Sequence, residues 1–266
     1  MSFYRFIKMK NLRFIIFTLT FFCFIYIAAQ EVGNYPDVVK KLIKAYPKSV
    51  KSYDGQHIIL SDNSKIYYVI GKNKTHEELM KSTNLGDIFY YEYIKGKVSS
   101  IPKDYDPGRI RNEQLLKKMY GSNSQEVQKH LATIVWCPSL VNQKLQVTSV
   151  NGVDKQLQKI SDELDNHSEL RDYLRSSGTF NWRKVRGTDR LSSHSFGTAI
   201  DLNVKYSDYW QWDCKCTSED VNLTYKNRIP QMIVDIFEKH GFIWGGKWYH
   251  YDTMHFEYRP ELLIED

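Results

Sequence analysis

Apolar and polar positions recur along this chain of 266 residues in two rhythms, one of period near 3.6 and one of period 2. In YPDVVKKLIKAYP (35–47), Val38, Val39, Leu42 and Ile43 fall on one helical face. HIILSDNSKIYYVIGK (57–72) alternates on either side of Asp-Asn-Ser and predicts a hairpin. THEELMKSTNLGDIFYYEYIKG (75–96) opens with a Thr-x-x-Glu cap and ends in aromatic residues. DYDPGRIRNEQLLKKMYG (104–121) predicts a turn on Asp106-Pro107-Gly108, then a helix closed by Gly121. SQEVQKHLATIVWCP (124–138) fits a helix or a helix running into a strand, and KLQVTSVNG (144–152) a strand. Residues 153–176 read as a charged helix pair or one kinked helix. IPQMIVDIFEKHGF (229–242) carries Pro230 in its first turn and stops at Gly241. Helices and short strands follow one another without β-α-β alternation, which predicts an α+β fold with a small antiparallel sheet and flanking helices. A soft boundary at GSNS divides an N-terminal helical and hairpin extension (31–123) from a second unit (124–266), though one compact unit fits the pattern as well.

One strand breaks its own rhythm. In LSSHSFGTAIDLNV (191–204) a polar, Gly-containing turn runs into the strand pattern Thr198–Val204, which carries Asp201 in its middle. A carboxylate buried there without a partner costs several kcal/mol or gives up its charge, so a cation should compensate it. His194 lies seven residues upstream, and KWYHYDTMHFEYRP (247–260) supplies His255 at the head of an aromatic strand pattern, with Asp252 three residues before it. His194, Asp201 and His255 form a three-ligand set that leaves a fourth zinc position for water, as hydrolysis needs. Asp252 would stand near that water as a general base without being a ligand. On residue types alone the same groups fit ion-paired structural roles equally well, with Arg183 or Arg186 as partner to Asp201.

Composition narrows the choice of partner. The net charge of +6 falls to +2 once residues 1–30 are set aside, because they carry Arg5, Lys8, Lys10 and Arg13 and no acidic residue. So small a charge gives no support for nucleic-acid binding. The four cations precede the uncharged run FIIFTLTFFCFIYIAA (14–29), ending in Ala28–Ala29. That is the pattern of a secretory signal peptide, or of an N-terminal anchor touching the membrane if uncleaved. Either predicts export to the cell envelope, periplasmic or extracellular. Three cysteines then remain, Cys137, Cys214 and Cys216, for which a disulfide involving Cys137, or no bond, is expected ahead of a metal role.

The two motifs together carry a resemblance. SSHSFGTAID resembles the S-x-H-x-x-G-x-A-x-D motif of the zinc peptidases that include D-alanyl-D-alanine carboxypeptidases and L-alanyl-D-glutamate endopeptidases. DTMHFEY resembles the second motif of that family, and the likeness spans roughly residues 125–262. It implies a small α+β zinc peptidase domain acting on peptidoglycan stem peptides. His194, Asp201 and His255 are the implied zinc ligands and Asp252 the implied base, while Ser192 and Gly197 match the loop. Family members usually carry an arginine in a Gly-Tyr-Arg segment that polarises the scissile carbonyl. The comparable strand here has none, and FNWRKVRGTDRLSSHS offers Arg183, Arg186 and Arg190 instead. Arg183, beside Trp182, is the expected oxyanion cation, with Arg186 as substitute. Glu257 is expected to orient a ligand histidine. His250 fits either the cleft or a surface aromatic cluster, and the tryptophans at 210, 212, 244 and 248 fit core positions better than a carbohydrate platform. The alternative of another class is a zinc-stabilised module that binds wall or partner without hydrolysis, as in the hedgehog signalling domains related to this fold.

Overall fold

The computed structural model describes residues 35–70 and 73–265, so the N-terminal segment read as a signal peptide or anchor lies outside the described residues. Among the described residues no helix is long and apolar enough to cross a membrane. The order is α1 (Asp37–Ala45), β1 (Val50–Tyr53), β2 (His57–Leu60), β3 (Lys65–Tyr67), α2 (His76–Lys81), α3 (Glu113–Tyr120) and α4 (Ser124–Gln128). Then come β4 (Leu131–Trp136), β5 (Gln143–Thr148), α5 (Val153–Leu164), α6 (Arg171–Leu174), β6 (Ala199–Asp201), α7 (Trp210–Cys214), α8 (Gln231–Lys239), β7 (Phe242–Trp244) and β8 (His255–Tyr258). The strands form three antiparallel sheets, ordered β1-β2-β3, β4-β5 and β6-β8-β7. The architecture is α+β, with small antiparallel sheets and flanking helices.

Local chemistry explains most boundaries. Thr75 caps α2 through a reciprocal box, its hydroxyl accepting from the Glu78 amide while the Glu78 carboxylate accepts from the Thr75 amide. Asn112 caps α3 by accepting from the Leu115 amide. Pro230 is the residue before α8 rather than part of its first turn. The motif strand is shorter than its sequence pattern: β6 covers only Ala199–Asp201, since Asn203 turns the chain by accepting from the Lys205 amide.

The site-bearing sheet is held from behind. Along β8 the side chains alternate, which puts His255 and Glu257 on one face and Phe256 and Tyr258 on the other. Phe256 stacks on Phe237 of α8 with ring centroids 3.9 Å apart and meets Trp244 of β7. Helix α8 buries Ile233, Val234, Ile236 and Phe237, the spacing its sequence predicts. Truncating a ring buried like Phe256 typically costs about 3–5 kcal/mol, so the strand bearing His255 sits on a rigid base. Trp210, Trp244 and Trp248 are buried, whereas Trp212 is half exposed.

One apolar cluster runs from Val39 to Tyr258, continuous across residue 123. Polar contacts cross the same boundary: the Tyr93 hydroxyl donates to Glu238 at 2.7 Å and accepts from the Trp244 amide at 2.9 Å. The cysteines depart from expectation. Cys214 and Cys216 are joined to each other, their Cα atoms 5.2 Å apart across Lys215 in a left-handed conformation. Cys137 is a free thiol, fully buried against Ser161, and burial pushes its pKa up to about 12.

Candidate active site

The first motif is a tight loop before a short strand. Ser192 accepts from the His194 amide and opens a single 3₁₀ turn, Ser193–Phe196, which Gly197 closes at φ +65°. A Cβ at Gly197 would also stand 3.0 Å from both the Leu131 side chain and the Thr148 amide nitrogen, so glycine is required twice over. The chain then enters β6, where Asp201 pairs in register with His255 of β8. Gly245 holds the second motif: the Asp252 amide donates to its carbonyl at 3.0 Å, and a Cβ there would lie 2.6 Å from the Asp252 carbonyl oxygen.

These elements bring His194, Asp201 and His255 together. His194 Nε2 and His255 Nδ1 are 3.2 Å apart, and Asp201 Oδ1 is 3.2 Å from the first and 3.0 Å from the second. Nitrogen and oxygen ligands at about 2.0–2.1 Å from a tetrahedral zinc stand roughly 3.3–3.4 Å from one another. The three atoms therefore lie near the spacing of one face of such a tetrahedron. The opposite edges of both rings are engaged, as ligand histidines require. His194 Nδ1 donates to the Thr179 carbonyl, and His255 Nε2 faces Glu257 Oε2 at 3.1 Å and the Ser193 hydroxyl at 3.2 Å. Each ring thus presents its remaining nitrogen to the triangle.

Charge at the cluster follows from burial. Burial alone disfavours the His255 cation, but Asp201 and Glu257 raise its pKa to about 10. Burial works against the Asp201 carboxylate too, and the two histidines nevertheless hold it well below the usual carboxylate range. A divalent ion would displace that proton and satisfy the same carboxylate. The compensating cation expected for Asp201 is thus provided by the histidines, while Arg183 and Arg186 form no ion pair with it.

Asp252 sits beside the triad with a buried Oδ1 that has no hydrogen-bond partner. Burial, and then the charge of Asp201, raise its pKa to about 7. Arg183 is exposed and close enough to act in the opposite direction on Asp252. All five residues line one cavity of about 380 Å³ that also holds Arg109, Arg111, Arg186 and Arg190. Arg186 and Arg190 border a second cavity of about 930 Å³ as well.

The cleft thus gathers two histidines, an aspartate and a carboxylate oxygen without a partner among the described residues. Residues 186–258 match the family model described as D-alanyl-D-alanine carboxypeptidase, a shorter stretch than the resemblance suggests but one containing both motifs. The match likens that segment to a peptidase. No curated protein and no solved structure matched the chain.

Several residues at the site escape a sequence reading. DPGRIR is a turn, as expected, but Arg109 and Arg111 reach the cavity from it. His250 is buried rather than part of a surface cluster. Its Nδ1 faces Asp106 Oδ2 at 2.7 Å and its amide donates to Asp106 Oδ1 at 3.0 Å. Glu257 meets Arg259, which pairs with Glu261, which accepts from the Tyr46 hydroxyl of the turn after α1. The partners lie 144 and 215 positions apart, and no local spacing announces them.

Proposed function

We propose that this chain is an exported zinc metallopeptidase that hydrolyses the stem peptides of bacterial peptidoglycan. The observation that carries the reading is the triangle of ligand atoms, with both rings oriented from behind, next to a buried carboxylate that lacks a partner. The matched family supports peptidase chemistry and a peptidoglycan substrate. Export is supported by the sequence pattern of residues 1–30 and by the Cys214–Cys216 bond, which persists in oxidising compartments.

His194, Asp201 and His255 would hold the ion. A zinc ion held there would supply Lewis acidity to a water molecule and to the scissile carbonyl. Asp252 accepts the proton of the attacking water at its free oxygen and returns it to the leaving amine. Arg183 offers a solvated guanidinium, with no carboxylate partner among the described residues, to the developing oxyanion. The Asp252 carboxylate also argues for hydrolysis over the binding-module alternative: a structural ion needs no unpaired acid beside it.

The test is a product assay. Zinc-loaded protein incubated with stem peptides should yield either loss of one alanine or release of the peptide from D-Glu onward, each abolished by a chelator and restored by zinc. If zinc-loaded protein yields neither product, the reading falls.

A further inference from the structure

We propose that Trp212 is a sugar-stacking residue at the edge of the cleft, selecting stem peptide still joined to its glycan over free peptide. The inference rests on the peptidase reading and names the part of the substrate that lies beyond the peptide.

Trp212 stands apart from the tryptophans of the core. The indole N–H groups of Trp136, Trp244 and Trp248 each donate to a backbone carbonyl, and their rings are buried. Trp212 is 49% exposed, and its N–H has no acceptor among the described residues. It nevertheless lines the cavity that holds the triad, together with Tyr209 and with Val204, itself 42% exposed. Apolar surface left open beside a reaction site marks a place where something binds. The ring is also held still. Helix α7 is fastened to the loop that bears Asp252, since the Trp210 amide donates to the Tyr251 carbonyl at 3.0 Å and the Tyr251 hydroxyl to Asp213 at 2.6 Å. Tyr209 meets the indole in a T-shaped contact, ring centroids 5.3 Å apart. The Tyr209 hydroxyl donates to Gln211 Oε1 at 2.9 Å, which leaves the Gln211 amide nitrogen without an acceptor among the described residues. A ring fixed in this way loses little freedom when a ligand covers it.

This surface offers a flat apolar face with N–H donors on Trp212 and on neighbouring Gln211. A pyranose ring is its complement, with C–H groups on one face and hydroxyl and acetamido acceptors around the edge. The peptide beside the scissile bond has no such face, since alanine offers a methyl group and D-Glu a charged chain. Gln211 also lines the larger cavity of about 930 Å³, which adjoins the first at Arg186 and Arg190. Space therefore runs on past the indole, as a polymer requires. The stem peptide is joined to its sugar through L-Ala. A single residue, about 3.3–3.6 Å of extended chain, separates the sugar from an L-Ala-D-Glu bond, whereas most of the stem separates it from a D-Ala-D-Ala bond. With Trp212 and the triad in one cavity of about 380 Å³, the subsite suits the bond nearer the sugar.

The test compares a muramyl-linked stem peptide with the same peptide N-acetylated, so that neither carries a free amino terminus, on the whole zinc-loaded chain. Binding is measured on Asp252→Asn and turnover on the otherwise unaltered protein. The sugar-linked peptide should bind roughly 10- to 30-fold more tightly. Trp212→Ala should abolish that preference while zinc stoichiometry stays at one, and Trp212→Phe should retain most of it. The indole N–H resonance that Trp212→Phe removes should shift with the sugar-linked peptide alone. Equal binding of the two peptides overturns the subsite, as does a preference that survives Trp212→Ala. Preference without turnover of either peptide would leave the subsite standing and remove the peptidase reading; turnover without preference would do the reverse.

Discussion

Two clusters among the described residues contain the same residue types, and their histidines are engaged differently. His194, Asp201 and His255 form the first. His76, Asp104 and His250 form the second, with ligand atoms all within 4.8 Å of one another. The difference lies in what already occupies their lone pairs. In the first, each histidine has one nitrogen engaged from behind and one facing the triangle. In the second, both nitrogens of His250 already face oxygens, Asp106 Oδ2 at 2.7 Å and the Glu219 carbonyl at 2.8 Å. Arg109 then bridges Asp106 and Glu219, the residues that engage His250. The same residue types thus turn one nitrogen of each histidine to a common point in the first cluster, whereas His250 has both nitrogens engaged in the second. The second cluster instead fastens the extension to the loop that bears Asp252.

The comparison breaks most directly by metal analysis. His194→Ala or His255→Ala should take zinc from one per chain to near zero and reduce kcat/KM by at least about a thousandfold, the several kcal/mol that a Lewis acid supplies. His76→Ala should leave one zinc per chain. Retained zinc in the first pair, or lost zinc in the last, would reverse the assignment of the two clusters.

Asp252→Asn should keep the metal and lower kcat by about 10²–10⁴-fold, since only the proton acceptor is removed. An emptied metal site in this variant would make Asp252 a ligand instead.

The second cluster should respond in stability. Asp106→Ala leaves Arg109 and His250 buried without their shared acceptor, and breaking such a pair typically costs about 3–5 kcal/mol in urea unfolding. The same group sets an acid limb. Burial would raise the Asp106 pKa, but Arg109 and His250 hold it well below the usual carboxylate range. A depressed folded pKa gives stability that is complete above the unfolded value of about 3.9 and is lost as pH falls below it. Asp106→Asn should therefore show a shallower fall in unfolding free energy between about pH 4 and pH 2 than the unaltered chain.

The smallest expected effect lies behind the first cluster. Glu257→Gln weakens the acceptor for His255 Nε2 and should cost about 10–100-fold in zinc affinity, read by competition with a chelating dye. An unchanged affinity would mean that Ser193 alone suffices to orient the ring.

What the sequence discloses follows the range of the interactions. The capping box at Thr75, the apolar face of α8 and the closing glycines at 121 and 241 are set within a few residues, and each is legible from spacing. The position of Asp201 in an apolar strand is equally legible as a charge needing compensation, and the histidines that compensate it sit in short motifs. Of the two alternatives for Cys137, the disulfide fails because pairing depends on three-dimensional reach, and its buried thiol meets the Ser161 carbonyl instead. Arg111 and Arg190 are legible as cations, but not as neighbours: one belongs to a turn before α3 and the other to the loop before the first motif, and only packing sets them side by side.

The chain of contacts from Tyr46 through Glu261, Arg259 and Glu257 to His255 sets an order in time. Its first member stands near the start of the described residues and its second within six positions of the last residue of the chain. Contacts between such distant positions close late, because loop entropy must be overcome before they return any energy. The backing of His255 is thus complete only after the segment around Glu261 has folded against the turn that holds Tyr46. A metal held at His255 would then reach full affinity late in folding, after contacts between residues 215 positions apart have closed.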